Sequence, residues 1–402
     1  MNLEIPKRFR PLIDQAHQVA LNVFRPISRK YDLAEHSYPK ELDMLASIMD
    51  GMNDGNINGG AGAAQLRQDN ADTVGGVRNG SNMATVLGLT ELCWGDVGLA
   101  LSLPRQGLGN AAIAAVATEE QLQRFKGKWA AMAITEPGAG SDSAAITTTA
   151  VLDGDHYVLN GEKIYVTAGE RADAIVVWAT LDKKLGRAAI KSFVVEKGTP
   201  GMTLERLEKK LGIRASDTAA FRFENCRVPK ENLLGSPDID VKQGFAGVMK
   251  TFDNTRPVVA AMAIGVARAA IERTREILEQ ANVAVDYQCS PYQSHAAALE
   301  LYRMEAELEA ARLLTLRAAW MADNAMPNST EASMAKAKAG RTATAITLKC
   351  VELAGSLGYS ELDLLEKWSR DAKILDIFEG TQQIQLLIIA RRLLNKTSAE
   401  LK

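Results

Sequence analysis

Few side chains in this sequence are placed to do chemistry, and one of them stands out. Glu379 follows the apolar run Ile374, Leu375, Ile377 and Phe378 and is followed at once by Gly380 and Thr381, so it falls where an apolar element breaks into a turn. A carboxylate there is partly desolvated, which disfavours its charged form and raises its pKa toward the range where a general base can take and return a proton. A surface glutamate near a helix end is the competing reading of this stretch alone. The second stretch is Ala133-Ile-Thr-Glu-Pro-Gly-Ala-Gly-Ser-Asp142. A strand running into Pro137, Gly138 and Gly140 offers hydroxyls (Thr135, Ser141) and free backbone N–H groups on a tight turn, which suits close approach by a planar or phosphorylated ligand. A plain structural hairpin is the alternative. Other chemistries lack material. The four cysteines (Cys93, Cys226, Cys289, Cys350) show no CxxC spacing, and the four histidines (His17, His36, His156, His295) form no metal pair, which argues against a zinc site or a disulfide framework.

The elements that must hold these residues follow from length and pattern. A chain of 402 residues exceeds what one hydrophobic core usually serves, so two or three domains are expected. Residues 11–50 look helical, with Leu12, Val19, Leu42, Leu45 and Ile48 at helical intervals, and helical patterning resumes at 83–94 and 108–125. Between them, 51–82 is crowded with Gly, Asn and Asp and reads as a surface loop bordering a binding site or as an insertion without structure. From 129 to 223 the period changes. Short β-rich runs at 132–135, 157–159, 164–167, 174–180, 192–196 and 219–223 are separated by the turn signals Asp153-Gly154, Asn160-Gly161 and Gly198-Thr199-Pro200-Gly201, the pattern of a compact antiparallel β domain. Beyond Gly235-Ser236-Pro237, Val258, Met262, Val266 and Ala270 recur every fourth residue and Leu301, Met304, Leu308 and Ala311 follow a three-four rhythm. With an Ala-rich helix at 330–353 and a last one near 382–394, this predicts a four-helix bundle. The expected fold class is mainly α with a central β domain: an N-terminal helical domain at 1–128, a β domain at 129–238 and the bundle at 239–402.

Composition narrows the function classes. A net charge of −2 with both signs intermixed gives no basic footprint for nucleic acid and no polybasic patch for a membrane. No window approaches the ~18 apolar residues of a membrane span, and the N-terminus lacks the apolar core of a signal peptide. A cytoplasmic protein with reduced thiols is expected.

Four ordered stretches together resemble the acyl-CoA dehydrogenase family: 134–142 of the turn above, Asn160-Gly-Glu-Lys-Ile-Tyr-Val-Thr-Ala-Gly169, Phe252-Asp-Asn-Thr-Arg-Pro-Val-Val-Ala-Ala261, and Arg370-Asp-Ala-Lys-Ile-Leu-Asp-Ile-Phe-Glu-Gly-Thr-Gln-Gln-Ile-Gln385. Their order and spacing span nearly the whole chain, and the family's architecture is the one read from the pattern. The resemblance implies FAD-dependent α,β-desaturation of an acyl-CoA thioester in lipid, fatty-acid or sterol-side-chain β-oxidation, with electrons passed to an electron-transferring flavoprotein. Glu379 takes the position of the base. The family also places a backbone N–H at the base residue on the thioester carbonyl. Carried over residue by residue, Thr135 and Thr167 would hydrogen-bond the isoalloxazine, Tyr165 and Ile134 would lie along it, and Gly140 and Ser141 would approach flavin or CoA. Thr381 and Gln383 would reach the adenosine and pyrophosphate side, while Thr255, Arg256 and Gly380 would border substrate. For Thr255 and Arg256 a helix N-terminal turn with a salt-bridged arginine is the plain alternative, and for Tyr165 a hairpin aromatic packed on the core.

The departures carry an expectation of their own. The family's Arg-Gln-x-Phe-Gly segment, whose arginine reaches a neighbouring subunit's FAD, here reads Val285-Asp-Tyr-Gln-Cys-Ser-Pro291, and its Gln-x-x-Gly-Gly-x-Gly reads Glu352-Leu-Ala-Gly-Ser-Leu-Gly358. A carboxylate then stands where a phosphate should come, and like charges at contact repel by about 1 kcal/mol in water and more when buried. The chain is expected to keep the half-site it uses and to lack the half it would lend, as in the α2β2 enzymes of actinobacteria; a divergent homotetramer is the alternative. Two other functions are weighed: a non-catalytic structural partner subunit, and a flavin oxidase or monooxygenase of the same superfamily.

Overall fold

The structure is a computed structural model that describes residues 5–52, 80–104, 108–239, 246–397 and 400. Most of the glycine-rich 51–82 segment lies outside the described residues. The chain opens with α1 (Arg10–Val19) and α2 (Arg25–Leu33), joined through a π-helical turn at Ala20–Phe24, and continues through α3 (Glu41–Met52), α4 (Ser81–Gly95), α5 (Val97–Ser102), α6 (Leu108–Val116) and α7 (Glu119–Arg124). Gly80 precedes α4 and has no side chain to cap it. Asp323 does so from outside, its carboxylate accepting from the Gly80 and Met83 N–H groups at 2.6 and 3.0 Å. Thr118 and Gln121 start α7 with a reciprocal capping box.

Seven strands follow: β1 (Ala130–Ala133), β2 (Thr149–Asp153), β3 (His156–Thr167), β4 (Ala174–Thr180), β5 (Ile190–Glu196), β6 (Met202–Leu207) and β7 (Thr218–Pro229). They lie in the order β1-β4-β2-β3-β7-β6, with β5 on β4. The sheet is mostly antiparallel, but β1 runs parallel to β4, because the whole β2–β3 hairpin separates them in sequence and serves as their crossover. Asp153-Gly154 makes the expected hairpin turn, with Asp153 opposite His156. Asn160-Gly161 does not turn. It lies inside the single strand β3, where the register against β7 shifts, and Gly161, at φ 150°, is accommodated as a bulge rather than a reversal.

The bundle consists of α8 (Ala246–Gln280), α9 (Ala296–Asp323), α10 (Ser329–Tyr359) and a fourth member in two pieces, α11 (Leu365–Ile374) and α12 (Gln382–Leu393). Met262, Val266 and Ala270 of the fourfold stripe are buried, as are Leu301, Met304 and Ala311. A second core under the sheet gathers Leu159, Val177, Phe193 and Phe223. Bundle and sheet are keyed together at α11. Lys367 is buried, with its Nζ 2.7 Å from Asp96 Oδ2 and 2.5 Å from Asp371 Oδ2. Burial opposes its charge, but the two carboxylates outweigh it and hold the amine protonated, above the ordinary lysine range. The other oxygen of Asp371 accepts the N–H of Ile213, from the loop before β7, at 2.5 Å. These contacts fix α11, and α11 leads directly into the break that carries Glu379.

Candidate active site

The break between α11 and α12 is built by its neighbours. At Gly340 of α10, a Cβ would stand 2.6 Å from Leu375 O, so only glycine lets α10 approach the segment this closely. The chain then turns through two left-handed residues, Glu379 at φ 57° and Gly380 at φ 90°. Glycine accepts that conformation freely, whereas for a glutamate it costs on the order of 1 kcal/mol. Thr381 caps α12, its Oγ1 accepting from Ile384 N at 3.4 Å, and Gln382 N donates to Asp376 O at 3.1 Å across the break.

Glu379 is partly buried here, and Thr255 Oγ1 donates to its Oε2 at 2.8 Å. Desolvation pushes its carboxyl above the ordinary glutamate range; the Thr255 hydrogen bond and the charges of Arg256 and Lys336 only partly offset this. Its own N–H has no backbone acceptor among the described residues. Thr255 and Arg256 are both buried and lie inside α8, not in its N-terminal turn. Gly380 is held by its carbonyl, which accepts from Lys336 Nζ at 2.7 Å. Thr381 and Gln383 line a cavity of about 390 Å³ together with Gln382, Arg341, Lys373, Asp376 and Ile377.

The remaining candidates gather on the sheet. Thr135 O accepts Ile164 N at 2.9 Å, and Ile134 O accepts Lys163 Nζ at 3.0 Å, which ties the end of β1 to β3. The β3–β7 register shifts again between Lys163 and Val166. This bulge turns Tyr165, at φ 58°, outward to 61% exposure, so it is not a core aromatic, and Thr167 resumes pairing opposite Thr218. Gly140 and Ser141 are exposed on the turn beyond. At Gly138 and Gly140 a Cβ would meet nothing within 4 Å, so the turn stands open on that side.

Sequence reasoning did not single out the residues that brace both groups. Glu136, between the quoted Thr135 and Pro137, is a buried strut: Thr147 N, Thr147 Oγ1, Thr148 N and Lys163 Nζ all donate to it within 2.9 Å. Lys163 shares the odd-numbered parity of the buried Tyr157 and Leu159 in β3, so period-two alternation was the signal that placed it inward. For Lys336 the alanines around it, Ala332, Ala335 and Ala339, all buried, mark the inward face of α10. Arg341 and Lys373 carried no signal, because the cavity they line exists only once α10 and α11 are packed.

A helical scaffold that strains a desolvated carboxylate into a helix break, beside a cavity lined by Arg341 and by the Lys373–Asp376 pair, is suited to acid–base chemistry on an anionic ligand. Comparison with known proteins narrows this class. Residues 131–226 match the acyl-CoA dehydrogenase middle domain and residues 242–394 its C-terminal domain. The short-chain specific acyl-CoA dehydrogenase of Clostridium acetobutylicum is 33% identical over 400 residues, covering 98% of this chain and 100% of that one. The mitochondrial short-chain specific acyl-CoA dehydrogenase of Mus musculus is 43% identical over 262 residues, covering 65% of this chain and 62% of that protein's length. In three dimensions, butyryl-CoA dehydrogenase from Megasphaera elsdenii aligns with a TM-score of 0.82 at 30% identity, over 98% of this chain and 100% of that one. The chain belongs to the acyl-CoA dehydrogenase family, whose members are FAD-dependent flavoproteins.

The residues present fit that cofactor. Arg341 brings positive charge to the cavity beside Thr381 and Gln383, where Lys373 is paired with Asp376 at 3.2 Å, the buried Gln382 Oε1 is left without a partner, and the turn at Gly138 and Gly140 is unobstructed. Among the described residues, no helix is long and apolar enough to cross a membrane.

Proposed function

We propose that this chain desaturates an acyl-CoA thioester between Cα and Cβ, with Glu379 as the base that removes the α-proton. The observation that carries the reading is the state of its carboxylate: desolvated, raised in pKa and hydrogen-bonded by Thr255 alone among the described residues. Thr255 occupies Oε2, which leaves Oε1 to receive the proton. The Glu379 N–H, without a backbone acceptor, is available to the thioester carbonyl, where a donor acidifies the α-proton. FAD, when bound, supplies the acceptor for the β-hydrogen. On this reading Thr135, Thr167, Ile134, Tyr165, Gly140 and Ser141 hold the flavin end, Thr381 and Gln383 with Arg341 and Lys373 hold the phosphate end, and Arg256 and Gly380 border the acyl-CoA. An electron-transferring flavoprotein then takes the electrons. Relatives named for short-chain substrates make butyryl-CoA the first substrate to try.

The test is turnover of the purified holoprotein with butyryl-CoA and an electron-transferring flavoprotein. Glu379→Gln is expected to bind substrate and lose desaturation; retained turnover in that variant would overturn the assignment. Fast reoxidation of the reduced flavin by oxygen would favour an oxidase instead.

We further propose that the flavin site is completed by a related subunit in an α2β2 assembly. Tyr287, in the segment where the family's arginine is missing, is hydrogen-bonded to Arg275 and Glu305, and Glu352 is exposed and paired with Lys349 at 2.6 Å. Neither segment presents a free cation to a neighbour's phosphate. A chain that purifies alone as a fully flavinylated, active homotetramer would sink this proposal.

A further inference from the structure

We propose that Lys336 and Gln385 clamp the backbone of the α11–α12 break and so fix the direction in which the Glu379 carboxylate points, which makes Lys336 a positioning residue for proton abstraction. The inference rests on Glu379 being the base. Both clamping side chains are fully buried, at 0% exposure, and they come from different elements. Lys336 reaches from the third turn of α10 and gives its ammonium to Gly380 O at 2.7 Å. Gln385, in the first turn of α12, donates through Nε2 to Glu379 O at 3.0 Å and Gly380 O at 3.2 Å. Three hydrogen bonds thus fall on two consecutive carbonyls, those of the two left-handed residues. Neither carbonyl belongs to a helix ladder, since α11 ends at Ile374 and α12 starts at Gln382, so their partners must come from side chains.

An amine is an expensive way to satisfy a carbonyl in the interior, because the ammonium must be desolvated. Burial pulls the Lys336 amine down to about 8, against the opposing charges of Asp376 and Glu379. A glutamine or asparagine donor avoids that cost, so the positive charge has its own use. It lies close enough to Glu379 to favour its carboxylate, yet its hydrogen bond goes to the neighbouring peptide. The groups facing Glu379 are Thr255 and Arg256 from α8 and Lys336 from α10, with Asp376 of its own segment acting on Lys336. Lys336 therefore steadies the base without neutralising it by an ion pair.

The experiment is Lys336→Met in the flavin-loaded enzyme and in the flavin-free chain. In the loaded enzyme we expect kcat to fall by about 10- to 100-fold with KM for acyl-CoA changed less, since misaligned reacting groups cost rate more than binding. The acid limb of the kcat/KM profile moves to higher pH, because a cation that favours the Glu379 carboxylate is gone. In the flavin-free chain, amide hydrogen exchange of the 376–385 segment accelerates by about 10-fold or more. If the methionine variant does not fold, Lys336→Gln is read in the same way for the acid limb. An unmoved acid limb, or exchange at the wild-type rate, overturns the clamp. Glu379→Gln separates the two ideas: it should abolish turnover without accelerating exchange, and persistent turnover there removes the base assignment whatever Lys336 does.

Discussion

Glu136 and Glu379 each sit at a tight turn with a buried lysine beside them, and their environments drive them in opposite directions. Glu136 collects four donors. Burial works to raise its carboxyl, but the charge of Lys163, its hydrogen bond and those of Thr147 and Thr148 prevail and hold it at about 2. Glu379 has one donor among the described residues, and burial prevails. The lysines make the difference. Lys163 gives its ammonium to the carboxylate at 2.8 Å, whereas Lys336 gives its own to a peptide carbonyl one residue further on. The first arrangement makes a strut that stays charged, and the second leaves a carboxylate that can still accept a proton.

The largest effect that would break this contrast is on turnover. Glu379→Gln is expected to lower kcat by about a thousandfold, measured with acyl-CoA and an electron acceptor, while Glu136→Gln should act on activity only through folding and flavin content. Stability comes next. Glu136→Gln takes away the carboxylate that keeps the buried Lys163 amine charged, an amine that burial already pulls down to about 8, at a cost of about 3–5 kcal/mol in denaturant melts at neutral pH, and pairing it with Lys163→Met should recover much of that loss. The same substitution at Glu379 is expected to have the opposite sign. A carboxyl whose folded-state pKa is raised above its unfolded value of 4.5 costs stability at every pH above that window. Glu379→Gln should therefore raise Tm at neutral pH, with the gain vanishing below about pH 4. The smallest effect tests the single donor. Thr255→Val removes it, which raises the Glu379 carboxyl further, moves the acid limb of kcat/KM to higher pH and costs about 1 kcal/mol in transition-state stabilisation; an unmoved limb would show that Thr255 does not engage the base.

Much of the fold was legible because it rests on periodicity. The stripe through Met262, Val266 and Ala270 and the β-rich runs carry their period in the residue types, and burial follows it. The errors fell where one residue interrupts a period. Asn160-Gly161 has the composition of a turn, but pairing of β3 with β7 on both sides of it carries the strand through. The pattern shows the fourth bundle helix as one element near 382–394, and α11 escapes it because the buried face of Leu365, Lys367, Trp368, Asp371 and Ala372 includes two charged residues that make the stripe look polar. Glu379 itself was visible as a break in an apolar run followed by glycine, a local signal. Lys336 was not, since nothing local links it to that break, and Gln385, though it closes the quoted motif, turns back on the break only once α12 is formed.

By itself, then, the sequence determined the three-part order of helices, sheet and bundle, the family, and the position of the carboxylate in a turn, because each depends on neighbours within a few residues or on ordered motifs along the chain. Only the tertiary structure decided that the carboxylate is desolvated, that Lys336 takes the adjacent carbonyl while Lys163 takes a carboxylate, and that Arg341 and Lys373 face one cavity. Those outcomes depend on which side chains distant helices and strands bring within hydrogen-bonding reach. Dielectric, donor count and direction are properties of packing, and residue order does not carry them.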